Sequence, residues 1–168
     1  LPHESLSLRD FLLLQSEYGY GGEKVTVKTE ENGSKTIEFS QGAWRYEDNY
    51  FTSEDGRMFF GRIVVYENGK PSWYAIYEAQ VDKAADPASV YGFLFEVLRS
   101  PDTSFPLRGP LFHEDEERGL IYEIAFDNFT DFRENTLDEF IFREVILPND
   151  EEGGFNLYTA TFMGGVIS

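Results

Sequence analysis

The segment spanning residues 44–50 alternates polar aromatic side chains with one acid. Its alternate positions are Trp44, Tyr46, Asp48 and Tyr50. Successive side chains of a β-strand point to opposite faces, so these four would share a face, and Trp73 and Tyr77 would share a face of a second strand. Tyr and Trp combine a large apolar surface with a polar tip, which suits ligand pockets and interfaces. The pattern indicates an aromatic face for a cationic or sugar-like ligand, with ordinary core packing as the alternative.

Asp48 and Glu144 each lie within an apolar, aromatic segment. A buried carboxylate is costly unless it is paired, so each should meet an arginine, a tyrosine or a ligand. The arginines considered as partners are Arg45, Arg62, Arg108 and Arg143. A structural ion pair, a binding site and a general acid/base pair of the glycosidase kind are the alternatives. The candidate ligand-binding set is Trp44, Tyr46, Asp48, Tyr50, Trp73, Tyr77, Arg108 and Glu144, and no catalytic residue is assigned.

Other chemistries find little support in the residues. The chain has no cysteine, which excludes disulfides, zinc–thiolate sites and thiol nucleophiles. His3 lies near the N-terminus, and His113 precedes an acidic run that is typical of a solvated hairpin tip. The glycine-rich segment 19–22 follows a predicted helix and precedes a strand, the reverse of the phosphate-binding loop. We therefore assign no metal and no cofactor.

The charge of the chain limits its partners. Its 168 residues include 31 acidic and 14 basic side chains, giving a net charge of −17. Such a field repels phosphate backbones, so direct nucleic-acid binding is not expected. No apolar run approaches the roughly 18 residues of a membrane span, so no membrane association is expected and a cytoplasmic location is predicted. Because the chain begins at Leu1, we expect an upstream signal peptide or domain to have been removed.

The hydrophobic periodicity predicts an α+β fold for a single domain over residues 1–168. Helices are predicted at residues 7–18 and 88–99. Strands are predicted at residues 25–29, 35–40, 44–51, 58–66, 71–81, 119–126, 139–147 and 155–163. We expect a curved, mostly antiparallel sheet with both helices on one face.

The order of elements indicates an internal duplication. A helix, a Gly/Pro loop and three strands occur twice, over about residues 7–81 and 88–165. Tyr46 finds a counterpart in Tyr122, and Trp73 in Tyr158. Two pseudo-repeats sharing one sheet are therefore predicted.

The chain also resembles an uncharacterised family of small bacterial domains of unknown function. The resemblance rests on an ordered series: Tyr46, Asp48, Tyr50, Phe60–Gly61, Lys70–Pro71, Trp73, Tyr77, Tyr91, Phe93–Leu94, Leu98, Phe105, Arg108–Gly109–Pro110 and Gly164–Gly165. It implies that some relatives follow a helix-turn-helix DNA-binding domain, but it implies no reaction. This chain departs from the family pattern at Ile63, where a glutamate is usual, and at Phe142, where a glycine is usual. If that glutamate and Glu144 act as a pair, this chain has lost half of it.

Three functions are consistent with these observations. The first is a non-enzymatic small-molecule-sensing or regulatory module with an aromatic-lined pocket. The second is a protein-interaction or dimerisation domain, with a homodimer as one form, that uses an acidic surface and an aromatic edge. The third is a carboxylate-dependent hydrolase or isomerase, which the sequence favours least. The partner is therefore an unidentified small molecule or protein, and a deep tyrosine-lined cavity or a flat exposed aromatic patch would distinguish the first two.

Overall fold

The computed structural model describes residues 6–19, 25–100, 105–126, 137–150 and 154–167. Within these ranges it contains two helices and nine strands. In chain order they are α1 (Leu8–Gly19), β1 (Thr26–Thr29), β2 (Lys35–Gln41), β3 (Trp44–Thr52), β4 (Met58–Glu67), β5 (Lys70–Val81), α2 (Pro87–Leu98), β6 (Phe112–Asp115), β7 (Leu120–Phe126), β8 (Glu139–Pro148) and β9 (Tyr158–Val166).

Local capping sets where both helices begin. At the start of α1, the Ser7 hydroxyl accepts a hydrogen bond from the Asp10 amide at 3.2 Å. At the start of α2, the Asp86 carboxylate accepts one from the Ser89 amide at 2.9 Å, and Pro87 occupies the first turn. These side chains satisfy amides that have no partner within the helix. Because the caps are local, the predicted helices agree with the observed ones to within one residue at each end.

All nine strands join one open antiparallel sheet, in the order β1-β2-β3-β4-β5-β9-β8-β7-β6. The α+β class and the antiparallel sheet are thus confirmed. The turn between β4 and β5 is a tight two-residue turn in which Asn68 and Gly69 have φ angles of 50° and 78°, a conformation that Asn-Gly favours. Strand β6 was not predicted, because it has only four residues and two of them are acidic. The sheet contains two three-stranded meanders, β3–β5 and β7–β9, which are extended by β1 and β2 on one side and by β6 on the other.

The core lies between one face of the sheet and the two helices. From α1, Phe11 stacks on Trp44 of β3 with ring centroids 5.8 Å apart. The buried side chains of α2 are Val90, Phe93, Leu94, Val97 and Leu98. The opposite face of the sheet, called the back face below, exposes Phe60, Ile76 and Met163. The two layers therefore bury the aromatic face that the sequence pattern singled out.

Neither helix in the described part of the chain combines the length and the apolar character that crossing a membrane requires.

Candidate ligand-binding cavity

A cavity of about 420 Å³ lies between the inner face of the sheet and helix α2. Its walls come from both helices, the five strands β2, β3, β4, β5 and β9, and the segment that precedes β6. The residues that line it are Gly19, Ile37, Asp48, Tyr50, Thr52, Phe59, Ile63, Tyr77, Tyr91, Phe95, Arg99, Arg108 and Phe162. Gly61 lies between Tyr50 and Tyr77 in register, and a Cβ atom there would lie 2.7 Å from Tyr50 Cβ, so glycine lets β3 and β4 approach closely at this point.

Asp48 supplies the carboxylate of the cavity. Its Oδ1 accepts a hydrogen bond from the Tyr77 hydroxyl at 2.6 Å, and no other side-chain bond to this carboxylate occurs within the described residues. Burial raises the pKa of Asp48 to about 6, although the Tyr77 hydrogen bond and the charge of Arg108 act in the opposite direction. At neutral pH the carboxylate is therefore mostly ionised, and Oδ2 remains available to a ligand.

Aromatic rings form a continuous wall of the cavity. Consecutive ring centroids lie 6.3 Å apart from Phe95 to Tyr91, 5.7 Å from Tyr91 to Phe59, 6.0 Å from Phe59 to Tyr77 and 5.3 Å from Tyr77 to Phe162. The Tyr91 hydroxyl donates to the Gly56 carbonyl at 2.7 Å, which holds the Tyr91 ring against the turn between β3 and β4. These distances are typical of favourable aromatic pairs. The wall is thus held by contacts between its own members.

Beside the cavity, Arg108 and Glu144 form a buried ion pair. Arg108 donates from Nε to Glu144 Oε2 at 2.8 Å and from Nη2 to Oε1 at 3.2 Å. The hydroxyls of Tyr122 and Tyr158 donate to the same carboxylate at 2.7 and 2.8 Å. Burial, and then the charge of Glu144, raise the pKa of both tyrosines well above its usual value, so both hydroxyls stay protonated as donors. Four donors therefore satisfy Glu144, whose side chain is 0% exposed.

The glycine after Arg108 is required by this cluster. A Cβ atom on Gly109 would lie 2.9 Å from the Tyr122 hydroxyl oxygen and 3.0 Å from a Leu98 methyl carbon. The missing side chain lets Tyr122 reach Glu144 beneath α2. The Arg-Gly-Pro segment thus packs against the ion pair that it helps to form.

Comparison with known proteins identifies the family. Residues 48–167 match the family described as a domain of unknown function (DUF5680). The chain belongs to the DUF5680 family. No curated protein matches it, and no solved structure matches it. The DUF5680 match begins at Asp48 and includes Tyr77, Arg108 and Glu144, whereas α1, β1 and β2 precede it.

The candidate residues of this DUF5680 protein fall into two groups. Asp48, Tyr50, Tyr77 and Arg108 line the cavity together. Trp44, Tyr46, Trp73 and Glu144 are buried and do not line it. The indole nitrogens of Trp44 and Trp73 donate to the carbonyls of Leu6 at 2.8 Å and Leu137 at 3.0 Å, so the two tryptophans hold the residues just before α1 and β8.

Sequence reasoning missed the aromatic residues that complete the cavity. These are Phe59, Tyr91, Phe95 and Phe162. The spacing of Tyr91 and Phe95, four residues apart on a predicted helix, is the signal that they share one side of α2. Nothing in the spacing shows that this side lies over Asp48.

The structure shows where His113 and the described acidic side chains lie. His113 lies in β6, where its ring packs 6.0 Å from that of Phe93, and His3 lies outside the described residues. Throughout the described ranges, no group of three or more histidine or acidic side chains is placed to hold a metal ion.

Proposed function

We propose that this DUF5680 domain is a non-enzymatic small-molecule-binding module that serves a sensing or regulatory role. The observation that carries the proposal is the cavity of about 420 Å³, which has one carboxylate set among aromatic rings. Small-molecule sites are typically concave, mostly apolar and furnished with a few placed polar groups, at volumes of roughly 300–1,000 Å³. Asp48, with Oδ2 available, is the polar group best placed to orient a ligand.

The surroundings of the two carboxylates favour binding over carboxylate-dependent catalysis. A two-carboxylate mechanism requires both groups to face the substrate. Asp48 lines the cavity, whereas both oxygens of Glu144 are occupied by four donors and its side chain is fully buried. Glu144 therefore contributes to the site by holding Arg108 in position.

The strand register supports an origin by duplication, which we also propose. Tyr77 of β5 lies opposite Phe162 of β9, at the seam where the two halves of the sheet meet. When strands are counted outward from this pair in both directions, Ile63 of β4 occupies the position that Glu144 occupies on β8. In the same way, Asp48 of β3 occupies the position that Ile124 occupies on β7. Each half thus carries one inward carboxylate, at different positions. In the second half an arginine and two tyrosines fill the space around the carboxylate, whereas in the first half that space is open.

Filling the cavity should abolish ligand binding. In the register of β2 and β3, Ile37 lies opposite Asp48, so Ile37→Trp would place an indole in the cavity without changing its charge. A thermal-shift screen of soluble small molecules should find compounds that raise the Tm of the wild-type domain, since a ligand of the native state stabilises it. The same compounds should leave the Tm of Ile37→Trp unchanged.

The matched control for this screen is Phe112→Trp. Phe112 is 56% exposed on β6, at the edge of the sheet far from the cavity, so this variant should respond like the wild type. Compounds that stabilise Ile37→Trp as much as the wild type would place the ligand elsewhere and contradict the proposal.

The exposed back face supports a second candidate function, the formation of a homodimer. Phe60, Ile76 and Met163 are 48%, 50% and 46% exposed on the adjacent strands β4, β5 and β9. Arg62 lies opposite Ile76 and Glu78 lies opposite Phe60, so cationic and anionic side chains flank the apolar patch. If two copies packed their back faces together about a twofold axis, Arg62 of each copy would face Glu78 of the other. This self-complementary arrangement favours a second copy of the chain as the occupant.

A charge at the centre of the patch should prevent this dimer. We expect sedimentation velocity to detect a wild-type dimer that strengthens with added salt, because salt screens the repulsion between two chains of net charge −17. Ile76→Glu should be monomeric, while Phe112→Glu, which puts the same charge on an exposed position of β6, should still dimerise. A wild-type chain that stays monomeric at high concentration and in high salt would contradict the homodimer.

A further inference from the structure

We infer that the ligand of the cavity is an organic cation, an amine or quaternary ammonium group held between Asp48 and the aromatic wall. The inference rests on the proposed ligand-binding function and specifies its chemical class. It follows from three features of the cavity: its charge, its rings and the way its hydroxyl groups are used.

Asp48 brings a negative charge that no cation among the described residues neutralises through a direct ion pair. The described residues include no ion pair to Asp48, and the nearby Arg108 is paired with Glu144 through two hydrogen bonds. Arg99 also lines the cavity, but it is exposed, so water screens its charge. The buried charges of Asp48, Arg108 and Glu144 therefore sum to one negative charge. A ligand with one positive charge would neutralise it.

The electrostatics of Asp48 agree with this charge balance. Burial is the main cause that raises the pKa of its carboxyl, which means that the ionised form is poorly solvated at this position. A cation bound at Oδ2 would replace the missing solvation and favour the ionised form.

The aromatic wall offers a second source of attraction for a cation. Tyr50, Phe59, Tyr91 and Phe95 line the cavity together with Asp48. The face of an aromatic ring carries negative charge density and attracts ammonium groups, which are often bound within cages of such rings. A neutral ligand would gain only the apolar contact.

Two of the four hydroxyl groups that line the cavity, those of Tyr77 and Tyr91, are committed to protein partners, which disfavours a sugar. The Tyr77 hydroxyl donates its hydrogen to Asp48, and the Tyr91 hydroxyl donates its hydrogen to the Gly56 carbonyl. A sugar presents many hydroxyls and needs several partners, because polar groups buried without partners are costly. The lining is instead dominated by rings and aliphatic side chains, which suits a compact cation.

The test compares cations with neutral molecules of nearly the same shape. Choline is paired with 3,3-dimethylbutan-1-ol, and 2-phenylethylammonium with 2-phenylethanol, in titrations of the isotope-labelled chain followed by NMR. We expect at least one cation to bind tenfold or more tightly than its neutral counterpart, with shifts at Tyr50 and Tyr91. Asp48→Asn should remove this preference. Asp138→Asn, which removes the same charge from an exposed position, should keep it.

The outcomes separate this inference from the function on which it rests. Equal binding of cation and neutral counterpart at the cavity would overturn the cationic ligand and leave a ligand-binding cavity intact. An unchanged preference in Asp48→Asn would overturn the role of Asp48. Absence of binding by both cations would also overturn the inference, while the screen with Ile37→Trp would still decide whether the cavity binds small molecules.

Discussion

Replacing Arg108 with methionine is expected to lower the free energy of unfolding by about 3–5 kcal/mol. The change removes the cation and two hydrogen bonds from Glu144, whose side chain is 0% exposed. The carboxylate would then keep only the hydroxyls of Tyr122 and Tyr158 as partners. A buried charge left without its counter-ion is among the most destabilising defects in a protein interior. Urea denaturation at pH 7, followed by circular dichroism, measures the loss.

An exposed ion pair provides the control. Arg118 pairs with Glu96 at 2.8 Å and with Asp115 at 3.2 Å, and all three side chains are at least partly exposed to water. Arg118→Met should therefore cost only about 0–1 kcal/mol. A similar, small loss for Arg108→Met would show that the buried pair contributes little, and that Arg108 is not held in place by Glu144.

Asp48→Asn is expected to stabilise the domain at pH 7 by ~1–3 kcal/mol, the second largest effect. The pKa of Asp48 rises from 3.8 to about 6 on folding, so the native state binds more protons than the unfolded state between these values. Stability contributed by this group is therefore present at low pH and is lost as pH rises towards about 6. Asparagine can still accept the Tyr77 hydrogen bond but carries no charge. Urea denaturation of both proteins between pH 3.5 and 8 measures the difference.

The pH profile distinguishes this effect from a general change in stability. The advantage of Asp48→Asn should shrink towards zero near pH 3.5, where the wild-type carboxyl is protonated in both states. Asp138→Asn, on the exposed surface, should show no such profile. If Asp48→Asn is less stable than the wild type at pH 7, the carboxylate is a structural group. If the carboxylate instead lowers stability, its presence is explained by a role in binding a ligand.

Much of the fold was readable from local signals. Ser7, Asp86 and Pro87 mark the helix starts through contacts within one turn, and strict alternation marks the long strands. Alternation shows on which face of the sheet a side chain lies, but not how deeply the side chain is buried. Trp44 and Asp48 share a face of β3, yet Trp44 is buried against α1 and Asp48 borders the cavity, because helix packing covers the strand unevenly.

The site depended on contacts that no spacing reveals. Glu144 was predicted to need an arginine, a tyrosine or a ligand as its partner, and four arginines were considered. The choice of Arg108 follows from the path of the chain after α2, beneath which Gly109 admits Tyr122. In the same way, Tyr91 and Phe95 reach the cavity only because of where α2 packs, with Tyr91 against Phe59 of β4. The sequence indicated the aromatic face, whereas the cavity arises from where the second helix packs.

The most direct test of the cavity as a ligand site is native mass spectrometry of the chain purified from the cells that naturally produce it. The account predicts a mass excess of one small molecule per chain that disappears under denaturing conditions. Ile37→Trp, produced in the same cells, should carry no excess, and Phe112→Trp should carry the same excess as the wild type. The same small molecule retained by Ile37→Trp as by the wild type would contradict the account, because the ligand would then lie outside the cavity bounded by Asp48, Tyr77 and Tyr91.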